Sequence, residues 1–466
     1  MTTQLYRIRS IRHLLGKYKE LDKQHIYFAT LSELNDPMEG YRDIVWQGDS
    51  IVWGNFFRNY ISCLNLTIFL AMLNENSTLL TPEEIPIEGF QGDLETPIET
   101  SILDGLCNTI FDRCRLQQLI CKLSSSGRAV RRGELLIYLK SIHFFAIDEI
   151  QNFNFQHGFL PEAPKSHLPM SLPEQFAQIP DLIERLHSEQ PNISETAFTA
   201  LFSAYNLIND NHSLLKKYDY YRDHGGSPDF AQANMEFISL DFPVAYLDQL
   251  NRILFPDWYV ACFLEDCSNS SVWGHYGDNH RGAALIFDVE NKSGDPFMDL
   301  YKITGYSVGS GDNAASQISK MNWGYSPMKF YKIVYKSGID AVDFFRSIGV
   351  LPTDRLVKRW YTDHSGNVSN CAHHIGSDIE GSWRETYWNN FLRDISVKST
   401  DWAYEKEYRL ILNASFIDLN DKSTRKLKYK FESLNGIVFG INMSDEDKLR
   451  IIDIIFKKCR KSLLSG

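Results

Sequence analysis

Apolar and polar positions alternate with a period of two near both ends of the chain, and recur with a helical period across its middle. QLYRIR (4–9) reads as a short strand, and Ser10 as the cap of a helix in which Ile11, Leu14, Leu15, Tyr18 and Leu21 repeat at helical spacing. HIYFAT (25–30) reads as a strand. LSELNDPMEG (31–40) reads as a loop punctuated by Asn35-Asp36-Pro37, because the residue before a proline is kept out of the α region. From 63 to 235 the apolar repeats predict helices at 101–123, 133–148 and 194–208, joined by polar, proline-bearing connectors such as 159–175. Strand patterns return at 258–264, 282–289, 328–335, 404–412, 426–431 and 436–440, with helices around 340–348 and 378–395. A last helix begins at Ser444, with Asp447 three positions on in a capping-box arrangement. This order predicts an α+β fold with a split, largely antiparallel β-sheet core formed by 1–62 and 236–466, interrupted by a large helical insertion at 63–235.

Composition narrows the function classes. The chain has 466 residues and a formal charge of −11, which argues against wholesale wrapping of nucleic acid and leaves room for a local basic patch. Aromatic residues at 13% supply a sizeable core and rings able to stack on a flat ligand. The start, MTTQLYRIRSIRHLL, lacks the apolar stretch of a signal peptide, and LTIFLAML (66–73) is too short for a membrane span and reads as buried helix. Eight cysteines in so long a chain do not form a disulfide framework, so a cytoplasmic protein with reduced thiols and no membrane partner is expected.

No phosphate loop, dinucleotide fingerprint or HExxH is present, and GYSVGSGDN (305–313) reads as a surface loop. Cys107, Cys114 and Cys121 recur every seven residues along one predicted helix, too far apart for a single metal. Cys262 and Cys267 with Cys371, His373 and His374 lack the spacing of a zinc ribbon or finger, so no metal is expected.

Three stretches can carry chemistry. SVWGHYGDNHRGAALIFDV (271–289) crowds Trp273, His275, Tyr276, His280 and Arg281 into a turn feeding a strand, and Gly277 and Gly282 permit a tight turn or a close approach. In YRIRS (6–10), Arg7 and Arg9 share one strand face and Tyr6 the other; a guanidinium fork suits phosphate or carboxylate, and equally an ion pair with an acidic strand. In YEKEYRLIL (404–412), strand alternation places Glu405, Glu407 and Arg409 on one side. Two carboxylates in line call for a cation or a reaction.

With LYRIRS, HIYFATLSELNDPMEGYRD, YVACFL, VWGHYGDNHRGAALIFD, WAYEKEYRLIL and LNGIVFGINMSDEDK in this order, the chain resembles a bacterial family known as domain of unknown function 2971, over about 1–45 and 255–460. That layout in turn resembles toxin-type ADP-ribosyltransferases, many of which act in bacterial conflict or phage defence. The resemblance implies NAD as substrate, a protein or nucleic acid as acceptor, and a regulatory protein docking on 63–235. It implies Glu407 as the catalytic carboxylate, Glu405 orienting the acceptor, Arg7 or Arg9 on the pyrophosphate, and Tyr6, Trp273, His275, Tyr276 and Arg409 lining the pocket. A Ser-Thr-Ser strand between the arginine and the glutamates is not recognisable. Two other readings stand beside this one. One is a metal-dependent nuclease or hydrolase using Asp36, Glu405, Glu407 and His275 or His280; the other is a non-catalytic sensor or interaction protein.

Overall fold

The structure, a computed structural model, describes residues 2–36, 38–73, 78–88, 97–160, 230–308, 318–338, 340–372, 375, 380–413 and 417–465, with isolated positions between 183 and 222. The helix expected at 194–208, the connector at 159–175 and the His373-His374 pair fall largely or wholly outside these residues. Two compact units divide the chain: Met1–Tyr41 with Asp257–Ile339 and Asn389–Gly466, and Arg42–Pro256 with Asp340–Trp388. The insertion expected at 63–235 lies inside the second unit, whose limits run wider.

In chain order the strands are β1 (Thr2–Arg9), β2 (His25–Tyr27), β3 (Asp43–Trp46), β4 (Val130–Arg131), β5 (Tyr259–Leu264), β6 (Ala283–Lys292) and β7 (Asp295–Val308). They continue as β8 (Ile318–Lys332), β9 (Val334–Lys336), β10 (Ala341–Asp343), β11 (Val397–Ser399), β12 (Glu407–Leu412), β13 (Lys426–Tyr429) and β14 (Leu434–Phe439). The first unit is built on a nine-stranded sheet in the order β14-β6-β1-β5-β12-β8-β7-β13-β2, antiparallel at every pairing. The end of β6 also pairs with the start of β7, so the sheet closes on itself like a barrel.

Strand alternation explains the interior. Leu5, Phe263, Leu285, Phe287, Leu300, Phe330, Leu410 and Tyr429 point inward and are buried together. Phe263 packs edge-on against Phe287 and Phe330, with ring centroids 5.7 and 5.0 Å apart. The α+β class and antiparallel pairing match the sequence pattern; closure does not show in any one strand, because it depends on which distant strands meet.

The second unit is mainly helical, with a small sheet in the order β10-β3-β4. One of its long helices, Ser50–Leu73, is long and apolar enough to cross a membrane by length and composition. Within the unit, however, Trp53, Phe56 and Tyr60 of that helix are wholly buried, and Trp53 and Phe56 pack on Phe345. The single helix expected at 101–123 is two, Pro97–Arg113 and Leu116–Ser125, broken where Arg115 adopts φ 51°. The three-cysteine face therefore does not form: Cys107 is buried and Cys121 exposed.

The final helix, Asp445–Ser465, starts as expected, with the Asp447 amide donating to Ser444 Oγ at 3.2 Å.

Candidate functional site

The site lies in the first unit, where the sheet forks. β1 and β5 share a single register pair, Tyr6 with Leu264. Further along β5, Ala29 takes over as the neighbour, exchanging two backbone hydrogen bonds with Val260. Cys262 sits between these two pairings, and its carbonyl would be unpaired by either neighbour. Arg7 fills the gap: it donates from Nη1 to Cys262 O (3.2 Å) and from Nη2 to Tyr27 O (3.1 Å), with its guanidinium 5.2 Å from the Phe263 ring centroid.

Arg7 is 5% exposed, its Nε has no hydrogen-bond partner, and it makes no ion pair among the described residues. Burial, with the Arg9 charge nearby, lowers its pKa to about 10. Arg9 is different: it clasps Glu20 with two hydrogen bonds of 2.9 and 2.5 Å, so its charge is already answered.

EKEYR is not one strand. Thr400–Glu405 forms a 3₁₀ turn, Lys406 adopts φ 47°, and β12 begins only at Glu407. The expected alternation thus holds for Glu407 and Arg409 alone. Glu405 reaches the same place from the end of the turn, because Lys398 draws both carboxylates. Lys398 Nζ stands 2.9 Å from Glu405 Oε2 and 3.2 Å from Glu407 Oε2, with Glu39 Oε2 at 3.6 Å. Arg409 donates Nε and Nη2 to Glu407 at 2.7 and 3.1 Å, and its Nη2 lies 2.6 Å from Glu39 Oε1. Three carboxylates thus surround two cations, leaving one negative charge in excess in a buried cluster.

The two central glutamates behave oppositely. Burial pushes the Glu407 carboxyl up, but Arg409 and then Lys398 outweigh it and hold the pKa at about 2. Burial also raises Glu405; Lys398 pulls it back, the Glu407 charge adds to the rise, and the net shift is upward. Tyr276 donates its hydroxyl to Glu405 Oε1 at 2.9 Å. That tyrosine ends the helix Ser270–Tyr276, after which Asp278, Asn279 and His280 all take positive φ before β6 begins. Gly282 closes this turn where a Cβ would run into the Arg9 carbonyl, so its approach is to backbone within the fold.

A cleft of about 850 Å³ opens over these groups. Glu405, Glu407, Lys398, Tyr276 and His275 line it, as do Arg7, Arg12, His13, Lys17, His25 and Lys426. Arg12 and Lys426 make no ion pair among the described residues, and Arg9 and Arg409 line the cleft with their charges already engaged.

Of the residues singled out from the sequence, Arg7, Arg9, His275, Tyr276, Glu405, Glu407 and Arg409 therefore converge on one cleft. Trp273 and Tyr6 do not: Trp273 is buried in a cluster with Ile8, Leu264 and Ala284 and donates Nε1 to Cys267 O at 2.7 Å, and Tyr6 packs against that cluster. Asp36 is buried and caps its own turn, accepting the Met38 amide at 2.9 Å. No group of three or more His, Cys, Asp or Glu suited to a metal occurs among the described residues. Lys398, Glu39 and the basic residues Arg12 and Lys426 went unforeseen. The one available signal was the demand of paired glutamates for a cation, and Lys398 lies seven residues before Glu405.

Residues 272–410 match the family described as protein of unknown function (DUF2971), the family expected from the sequence. The matched stretch contains His275, Tyr276, Lys398, Glu405, Glu407 and Arg409. No curated protein and no solved structure matches the chain, and the likeness to ADP-ribosyltransferases is not confirmed.

Proposed function

We propose that the cleft takes NAD as substrate and breaks its nicotinamide–ribose bond, passing ADP-ribose to an acceptor or to water. One observation carries this reading: an arginine that is buried and makes no ion pair among the described residues lines the same cleft as a carboxylate of raised pKa. Arg7, joined by Arg12 and Lys426, answers the charge of a pyrophosphate. Glu405, once ionised, stabilises the positive ribose centre that develops as the C1′–N bond breaks and its electron pair leaves with neutral nicotinamide. The acceptor then bonds to C1′, and Glu405 takes its proton.

This assignment places the reactive role on Glu405. Glu407, locked ionised by Arg409 and Lys398, anchors Lys398 and so holds Glu405 in position. Tyr276 fixes the other oxygen of Glu405.

A second reading, a ligand sensor without turnover, is favoured by the Glu407–Arg409–Lys398 network, whose three groups are engaged in ion pairs with one another. Purified protein incubated with NAD separates the two. Nicotinamide release that disappears in Glu405→Gln and Arg7→Ala supports the enzyme; saturable NAD binding without release supports the sensor. Neither binding nor release rejects NAD as the ligand.

A further inference from the structure

The outward face of the sheet carries a row of side chains in register across four strands. His25 on β2 stands opposite Lys428 on β13, Lys428 opposite Tyr301 on β7, and Tyr301 opposite Tyr325 on β8. Their inward neighbours Ile26, Leu427, Tyr429 and Leu300 fill the barrel, so alternation turns this row to solvent. At the far end Trp323 lies against Tyr301, nearly parallel, with ring centroids 6.1 Å apart; Tyr325 meets Tyr301 edge-on at 5.4 Å. The three rings are 41% (Tyr301), 49% (Trp323) and 40% (Tyr325) exposed. Aromatic rings clustered on an open strand face, rather than folded into the core, form a stacking platform.

The near end is basic and opens into the cleft, which His25 and Lys426 line. Burial lowers the His25 pKa, and Lys23, Lys426 and Lys428 lower it further. Those three lysines make no ion pair among the described residues, in a chain whose overall charge is −11. Lys430, which pairs with Asp299 at 2.6 Å, adds its ammonium 5.4 Å from the Tyr325 ring centroid.

We infer that this row binds single-stranded nucleic acid, with bases stacked on Tyr301, Trp323 and Tyr325 and phosphates held by Lys428 and Lys426. The strand is thereby led into the cleft. Rings that accept any π-face, spaced along a sheet beside unpaired lysines, suit a polyanion with exposed bases; a duplex keeps its bases stacked inside and offers the platform nothing. That the strand is also the acceptor of ADP-ribose rests on the function proposed above; that it binds does not.

The test is fluorescence anisotropy with a labelled single strand of about ten nucleotides, in the length range of one such binding face. Unlabelled single strand, duplex of the same sequence and heparin serve as competitors. The single strand should compete best. Trp323→Ala and Tyr301→Ala should each weaken binding roughly tenfold, with Trp323→Phe restoring much of it. Lys428→Ala should flatten the salt dependence by about 0.7 in log–log slope. Equal competition by heparin or duplex, or affinity indifferent to Trp323→Ala, overturns the proposal. Platform-dependent binding in a protein that releases no nicotinamide keeps the track and rejects the cleavage of NAD. Nicotinamide release without platform-dependent binding does the reverse.

Discussion

Lys398 Nζ lies 2.9 Å from Glu405 and 3.2 Å from Glu407, so one buried ammonium joins the carboxylate of raised pKa to the one of lowered pKa. The pairing of β11 with β9 sets Lys398 opposite Tyr335, whose hydroxyl accepts the Glu407 amide at 2.8 Å. Burial lowers the Lys398 pKa, but Glu407, Glu405 and Glu39 outweigh it and raise the net value, so the ammonium form persists. Lys398→Met leaves buried carboxylates short of a cation and should cost about 3–5 kcal/mol in urea unfolding, the usual penalty for halving a buried pair. Lys398→Arg should cost less. A Lys398→Met loss below about 1 kcal/mol would show that the cluster is solvated in solution.

Glu405 and Glu407 should separate activity from stability. Glu407→Gln breaks a two-pronged bond to Arg409 in a wholly buried setting, so its main effect is a lowered unfolding midpoint. Glu405→Gln keeps one acceptor oxygen for Lys398 and can donate its amide to the Tyr276 hydroxyl oxygen, so it should fold, while nicotinamide release falls by about 10²–10⁴. If Glu407→Gln is as stable as the parent and equally inactive, the two roles are exchanged.

The sequence displayed the participants more clearly than their arrangement. Arg7 and Arg9 share a strand face as alternation requires, yet only contact with Glu20, from a separate short helix, tells which of them is neutralised. Glu405 was legible as a neighbour of Glu407 for a mistaken reason: the left-handed Lys406 breaks the strand, and the lysine restores the pairing. Trp273 and Tyr6 read as cleft residues because their side chains suit ligands; packing by Ile8 and Leu264 decides otherwise. The fork at Cys262 depends on Tyr6 pairing with Leu264 and Ala29 with Val260, contacts between distant segments that local periodicity does not encode.

Acid should unfold the protein in two stages. The Glu407 carboxyl titrates near 2 when folded, against 4.5 as its ordinary value, so its stabilisation is complete above about pH 4.5 and is lost as pH falls toward 2. His13 is held down to about 4 by burial and the Arg9 charge, so the folded state binds fewer protons than the unfolded one between about pH 6.5 and 4. Stability therefore already declines across that higher window. Glu405 works in the opposite sense, since a raised carboxyl favours folding while protonated and loses that contribution as pH rises. His143, held down to about 4 by burial, and His25, also lowered, share that first stage. Urea midpoints measured from pH 7 to 3 should therefore fall first with the histidines and then more steeply; His13→Gln should shrink the first stage and leave the second.

Under the proposed chemistry the same raised carboxyl sets the acid limb of turnover. Glu405 must be ionised to stabilise the ribose centre, so the rate should drop on acidification at a pH above the ordinary carboxylate range. Tyr276→Phe removes the hydroxyl donor to Glu405 Oε1, a bond that favours the ionised form, and should move the limb to still higher pH. A limb near pH 4, or one that Tyr276→Phe leaves in place, would assign the titration to another group.

Arg7 offers the most direct reading of the cleft's ligand. Its guanidinium does two things: it satisfies the Cys262 and Tyr27 carbonyls at the fork, and it presents a buried positive charge to the cavity. Arg7→Lys keeps the charge but lacks the planar fork that spans two carbonyls, whereas Arg7→Met discards both. Inorganic pyrophosphate separates the two roles, because an anion that binds only the folded protein raises its stability by about 2.7 kcal/mol at a hundred times its dissociation constant. The parent should gain thermal stability with pyrophosphate, Arg7→Lys less, and Arg7→Met almost none, while both variants unfold earlier than the parent without it. Equal stabilisation of all three proteins would place the anion on the cleft's other cations, Arg12, Lys17 and Lys426 among them, and leave Arg7 as the brace of the fork.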